Sequence, residues 1–86
     1  MIKGKLENGF EYQVEYTAVN NMELVDAIAE VEENPVAISK VVKLLLGNDQ
    51  RMALYDYLRT KDGNVPIDAV NKAVIEIFNS SQQGKN

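Results

Sequence analysis

From Ile2 to Val14 the chain alternates between apolar and polar residues, and beyond Asn20 apolar residues return every three or four positions. The first period belongs to strands with one face on a core, the second to amphipathic helices. Leu6-Glu7-Asn8-Gly9-Phe10 stands at the centre of the alternating stretch, and Asn-Gly between two such runs marks a hairpin. A two-residue turn at Asn8-Gly9 sets Leu6 opposite Glu11 and Lys5 opposite Tyr12, mixing apolar and charged side chains on each face. A three-residue loop, Glu7-Asn8-Gly9, pairs Leu6 with Phe10, Gly4 with Tyr12 and Ile2 with Val14. Every apolar side chain then shares one face, and Lys3, Lys5, Glu11 and Glu15 share the other. The three-residue loop is therefore expected, with Gly9 in the left-handed position of a G1 bulge. A lone ribbon is marginal in water, so it must lie on helices or on another chain's strand. Its edges also offer unpaired backbone groups to an added strand.

The spacing predicts an α+β fold, mainly α, in which a hairpin over 2–16 packs on four short helices over about 21–32, 35–46, 49–59 and 66–79. One domain spans 1–80, and the polar residues 81–86 form a flexible tail. Asn20 suits an N-cap, with Glu23 completing a capping box, and Leu24, Val25, Ile28 and Val31 share one side of the first helix. Asn34-Pro35 opens the second helix and Gly47 closes it. There Ala37, Ile38, Val41, Val42, Leu44, Leu45 and Leu46 sweep roughly 200° of the helical wheel, so this helix should be central. Asn48 or Asp49 caps the third helix, with Met52, Leu54, Tyr55 and Leu58 inward and Tyr57 elsewhere. Lys61-Asp62-Gly63-Asn64 is a turn, and Val65-Pro66 leads into a helix buried through Ile67, Val70, Val74, Ile77 and Phe78.

The chain has 86 residues and a net charge of −4. Few cations on an acidic chain argue against nonspecific nucleic-acid binding, which needs many lysine and arginine contacts to phosphate. Cysteine and histidine are both absent, which removes disulfides, thiolate chemistry, the usual neutral-pH base and the commonest metal ligand. No apolar run approaches the roughly 18–20 residues of a membrane span, and no signal-peptide core is present. A cytoplasmic protein without cofactor, metal or catalytic residues is expected.

Two features are candidates for partner binding. Glu23, Asp26, Glu30 and Glu33 fall within roughly 80° of the first helix, and no lysine or arginine lies between Asn20 and Lys40. A solvated outer face is the ordinary reading of such a stripe, and a docking face for a basic partner the functional one. Glu30, Glu32 and Glu33 also crowd the helix C-terminus, where negative charge opposes the dipole, and Lys40 or Lys43 is positioned to compensate. Leu44-Leu45-Leu46 is the second feature: three consecutive leucines do not all face one core, so Leu44 or Leu46 is a candidate contact, although enclosure of the helix explains them too. Asn71 sits in the apolar arc of the last helix, between Phe78 and Ile75. It is either a buried amide bonded to backbone or a contact to another chain. Tyr55 and Tyr57 read as one core and one surface tyrosine.

Several of these signals in their order resemble a known group. Leu6-x-Asn8-Gly9-Phe10, Asn20-x-x-Glu23-Leu24-Val25-x-Ala27, Leu45-Leu46-Gly47-x-x-Gln50, Leu58-Arg59 and Asp62-Gly63-x-Val65-Pro66 are similar to small proteins of long-tailed phages and prophages. These look like tail assembly chaperones, made from the gene ahead of the tape-measure gene, and the similarity covers roughly residues 4 to 80. It rests on capping and turn residues and implies no catalytic residue. It implies binding to the tape-measure protein and to tail-tube subunits during assembly, with a homo-oligomer compatible. The rival expectation is a small phage or bacterial regulator gripping protein or DNA, with the last two helices as a helix-turn-helix. A recognition helix should present lysine and arginine, and the last helix offers only Lys72.

Overall fold

A computed structural model describes residues 1–83. Strands β1 (Ile2–Lys5) and β2 (Glu11–Val14) form an antiparallel hairpin, followed by helices α1 (Tyr16–Val19), α2 (Met22–Val31), α3 (Ile38–Leu58) and α4 (Ile67–Gln83). The fold is α+β, mainly α, as the periodicities predict. Ile2 pairs with Val14 and Gly4 with Tyr12, the register of the three-residue loop. The Leu6 amide donates to the Phe10 carbonyl at 2.8 Å, and Gly9 takes φ 100°. The Asn8 side chain completes the turn by accepting from the Phe10 amide at 2.9 Å. Leu6, Phe10, Tyr12 and Val14 are all buried against the helices.

The hairpin ends earlier than residue 16, because Tyr16 already belongs to the one-turn helix α1. That turn moves the next cap by one residue. Asn20 is spent closing α1, its amide donating to the Tyr16 carbonyl, and Asn21 caps α2 by accepting from the Glu23 amide at 3.0 Å. On α2 the buried positions are Leu24 and Ala27, with Ile28 and Val31 beside them, and Val25 faces solvent. A residue one step from Leu24 lies about 100° around the helix, so Val25 leaves the inner face that Ala27 enters.

Pro35–Ala37 forms a single 3-10 turn before α3 begins at Ile38. The Asn34 side chain makes no cap there and instead donates to the Glu30 carboxylate at 3.3 Å. The expected second and third helices join into α3 with a kink at Gly47, whose φ of 78° and ψ of 172° interrupt the helix between 38–46 and 48–58. The first arm is central: Val41, Val42, Leu45 and Leu46 are buried, and α3 contacts α1, α2, α4 and β2. On the second arm Leu54 is buried and Met52 is exposed, so Met52 leaves the expected inner face.

The turn before α4 closes through Thr60 amide to Asn64 carbonyl at 2.9 Å, and Arg59 donates to the Gly63 carbonyl at 2.8 Å. In α4 the inner face is Val70, Ala73, Val74, Ile77 and the fully buried Ser81, whereas Ile67 is 60 % exposed. Helix α4 therefore runs past residue 80, through the segment 81–83 where polarity predicted a flexible tail. Ser81 sits one turn beyond Ile77, and its small side chain is buried there with its hydroxyl unbonded among the described residues. Residues 84–86 of the expected tail lie outside the described residues.

Candidate protein-docking site

An unfilled, mainly apolar groove lies where α2, α3 and α4 meet. Ile28, Val31 and Glu32 form one wall, Ile38 and Val41 the base, and Asn71, Val74 and Ile75 the other wall of a groove of about 240 Å3. Val41 and Val74 in its lining are core residues, and Ile75 is 55 % exposed. The α4 wall belongs to a stripe of Ile67, Asn71 and Ile75 at i, i+4 and i+8, which adjoins the buried face and stays open. Asn71 is not the buried, backbone-bonded amide that was one of the two expectations: it is half-buried in an apolar wall, which leaves the other, a contact to another chain, open to it. Among the described residues its side chain has no hydrogen-bond partner.

Glu23, Asp26, Glu30 and Glu33 are all exposed along α2. The ion pair found among the described residues is Arg59 with Asp56 at 3.1 Å, so neither Lys40 nor Lys43 pairs directly with Glu30, Glu32 or Glu33 at the end of α2. None of these four acids lines the groove; the acid that does is their neighbour Glu32. The two leucine candidates lie elsewhere. Leu44 and Leu46 line a broader concavity of about 640 Å3 between the hairpin, α1 and the kink, with Asn21, Lys43 and Gln50. Leu46 is a core residue and Leu44 is half-buried. Leu46 is thereby corrected from candidate contact to core, because the arm that carries it is enclosed on several sides.

Three contacts that no local pattern announced hold the hairpin in place. The Gln50 side chain accepts from the Gln13 amide at 2.7 Å and donates to the Gln13 carbonyl at 2.5 Å, pairing with the outer edge of β2 as a strand would. Tyr57 donates its hydroxyl to the Asn8 carbonyl at 2.5 Å and sets its ring 5.4 Å from that of Phe10. The Glu7 amide donates to the Glu76 carboxylate of α4 at 2.9 Å. Tyr55 is half-buried on the core side, with the Arg51 guanidinium 5.6 Å from its ring centre. The sequence signal for this groove is Asn71 in the apolar arc beside Ile75; what the helical spacing did not separate was exposed Ile67 from the buried residues of the same helix.

Among the described residues no group of three or more acidic, histidine or cysteine side chains is placed to hold a metal ion, and no helix is long and apolar enough to cross a membrane. Compared with family models, with curated proteins and with solved structures, the chain finds no match.

Proposed function

We propose that this chain is a noncatalytic tail assembly chaperone of a long-tailed phage or prophage, working in the cytoplasm of the bacterial host. It binds the tape-measure protein, with tail-tube subunits as further partners, and keeps the client soluble until the tail is built. The observation that carries this reading is the open groove between α2, α3 and α4, an apolar surface with an exposed isoleucine on its rim. Exposed apolar surface bordered by charge is what a client-holding protein needs. The sequence resemblance suggests the client, and the groove is compatible with a surface for it.

The rival regulator is less well supported. As a recognition helix α4 would meet phosphate with Lys72 alone, beside Asp68 and Glu76, and Glu76 is already engaged with the hairpin.

Co-expression with a phage tape-measure protein, followed by pull-down, tests the proposal. Ile75→Asp should abolish capture while leaving the melting temperature within a few degrees, since surface changes rarely exceed about 0.5 kcal/mol. Capture unchanged by Ile75→Asp removes the groove from the reading. A salt-sensitive gel shift with duplex DNA, and no capture, would favour the regulator.

A further inference from the structure

We propose that the groove selects an amphipathic helix of its partner that carries lysine or arginine on the flank facing α2 and one hydrogen-bonding side chain midway along its apolar stripe. This deepens the client-site reading above and rests on it.

Size argues for a helix. The groove's volume of about 240 Å3 falls below the roughly 300–1,000 Å3 of small-molecule pockets, and it is walled by three helices. Side-chain knobs of one further helix fill such holes and complete a bundle.

Charge chooses the partner's flank. Glu32 stands in the α2 wall itself, with Glu30 and Glu33 beside it and no lysine or arginine between Asn20 and Lys40. These carboxylates crowd the C-terminal end of α2, against its dipole, and have no cationic partner among the described residues. An incoming cation relieves both conditions. A second copy of this chain would add another acidic α2 to the first, so a basic partner fits better than self-association. The α4 side mixes Asp68 with Lys72, so positive charge is demanded on one flank only, and that sets the rotation of the docked helix.

Asn71 chooses the centre. Its amide is half-buried among Ile28, Val31, Ile38, Val74 and Ile75 and bonds to nothing described. An all-apolar helix laid over it would bury a donor and an acceptor without partners. A helix with asparagine, glutamine or serine opposite satisfies the amide and fixes the register, as a single polar core position does in coiled coils.

Synthetic helical peptides titrated into the 15N-labelled chain test this by NMR. The probe has a leucine stripe, a central asparagine in that stripe and lysines along one flank. It should shift the amides of Ile28, Val31, Val74 and Ile75. Replacing its lysines by glutamate, or its central asparagine by leucine, should each weaken binding about fivefold or more. Glu32→Lys should restore affinity for the glutamate peptide, and Asn71→Leu for the leucine peptide, with folding of both variants checked by their spectra. Equal affinity for all three peptides overturns the selectivity and leaves the groove as a docking site. No shift of those amides with any peptide overturns both readings. Shifts that appear with protein concentration alone would assign the groove to a second copy and overturn the proposal.

Discussion

Gln50 takes the role of a missing third strand. A strand's outer amide and carbonyl point away from its hairpin partner, and here one side-chain amide answers both groups of Gln13. Its nitrogen also lies 3.1 Å from the Leu46 carbonyl, one turn back along α3. The kink at Gly47 frees that carbonyl region, so the two features act together. Gln50→Leu should cost about 1–3 kcal/mol, because the glutamine side-chain amide makes three hydrogen bonds in a partly exposed place. The melting temperature should then fall by roughly 4–8 °C per kcal/mol in a domain of this size. Hydrogen exchange at Gln13 should accelerate in the same variant, and an unchanged rate there would contradict the assigned pairing. Asn21 makes a second residue-scale prediction. Asn21→Ala should cost about 0.5–2 kcal/mol as a lost N-cap. Asn20→Ala should cost less, because Asn20 closes α1 through its backbone amide. Paired thermal melts decide between the two asparagines.

At the scale of elements, Gly47 turns one long helix into two arms that enclose the core. Its ψ of 172° places it outside the left-handed helical region of an ordinary cap. Positive φ with extended ψ is a region that essentially only glycine occupies. A Cβ there would meet nothing within 4 Å, so the cost of a side chain is purely conformational. Gly47→Ala should therefore destabilise the fold by about 1–3 kcal/mol. Gly47→Asn should be no better, although asparagine rescues left-handed caps. Denaturant melts of both variants check this, and a markedly milder Asn variant would place Gly47 in the ordinary cap conformation. The hairpin shows the opposite case, an element held by many weak ties: the buried face of β2, Gln50, Tyr57 and Glu76 all contribute.

At the scale of the whole molecule, charge and apolar exposure lie on neighbouring surfaces. Glu32, at the C-terminal end of α2, lines a groove left open by the way three helices converge, and the exposed acids of α2 lie outside that lining. Reversing Glu23, Asp26, Glu30 and Glu33 to lysine should weaken client pull-down in low salt. The difference should shrink as ionic strength rises and the Debye length falls below about 8 Å. Stability should move little, because these carboxylates have no cationic partner among the described residues to lose. Pull-down across a salt series, beside a melt of the same variant, separates binding from folding. Binding that ignores the reversal at every salt concentration removes the acidic face from the docking surface.

The sequence by itself determined what depends on short range and on pattern. Period-two alternation and one glycine specified the hairpin register, because a one-residue slip would put Ile2 and Leu6 on the opposite face from Tyr12 and Val14. The wide apolar sweep from Ala37 to Leu46 identified the central helix, because no partly exposed helix carries it. Caps were legible to within a residue; α1 was not, since four residues of Tyr16–Val19 carry too little periodicity to register. The tertiary structure decided what depends on partners far along the chain. Gln13 meets Gln50 across 37 positions, Asn8 meets Tyr57 across 49 and Glu7 meets Glu76 across 69. It also decided which apolar residues stay uncovered. Met52, Ile67 and Ile75 satisfy helical spacing as well as buried residues do, and only the placement of neighbouring helices leaves them in solvent.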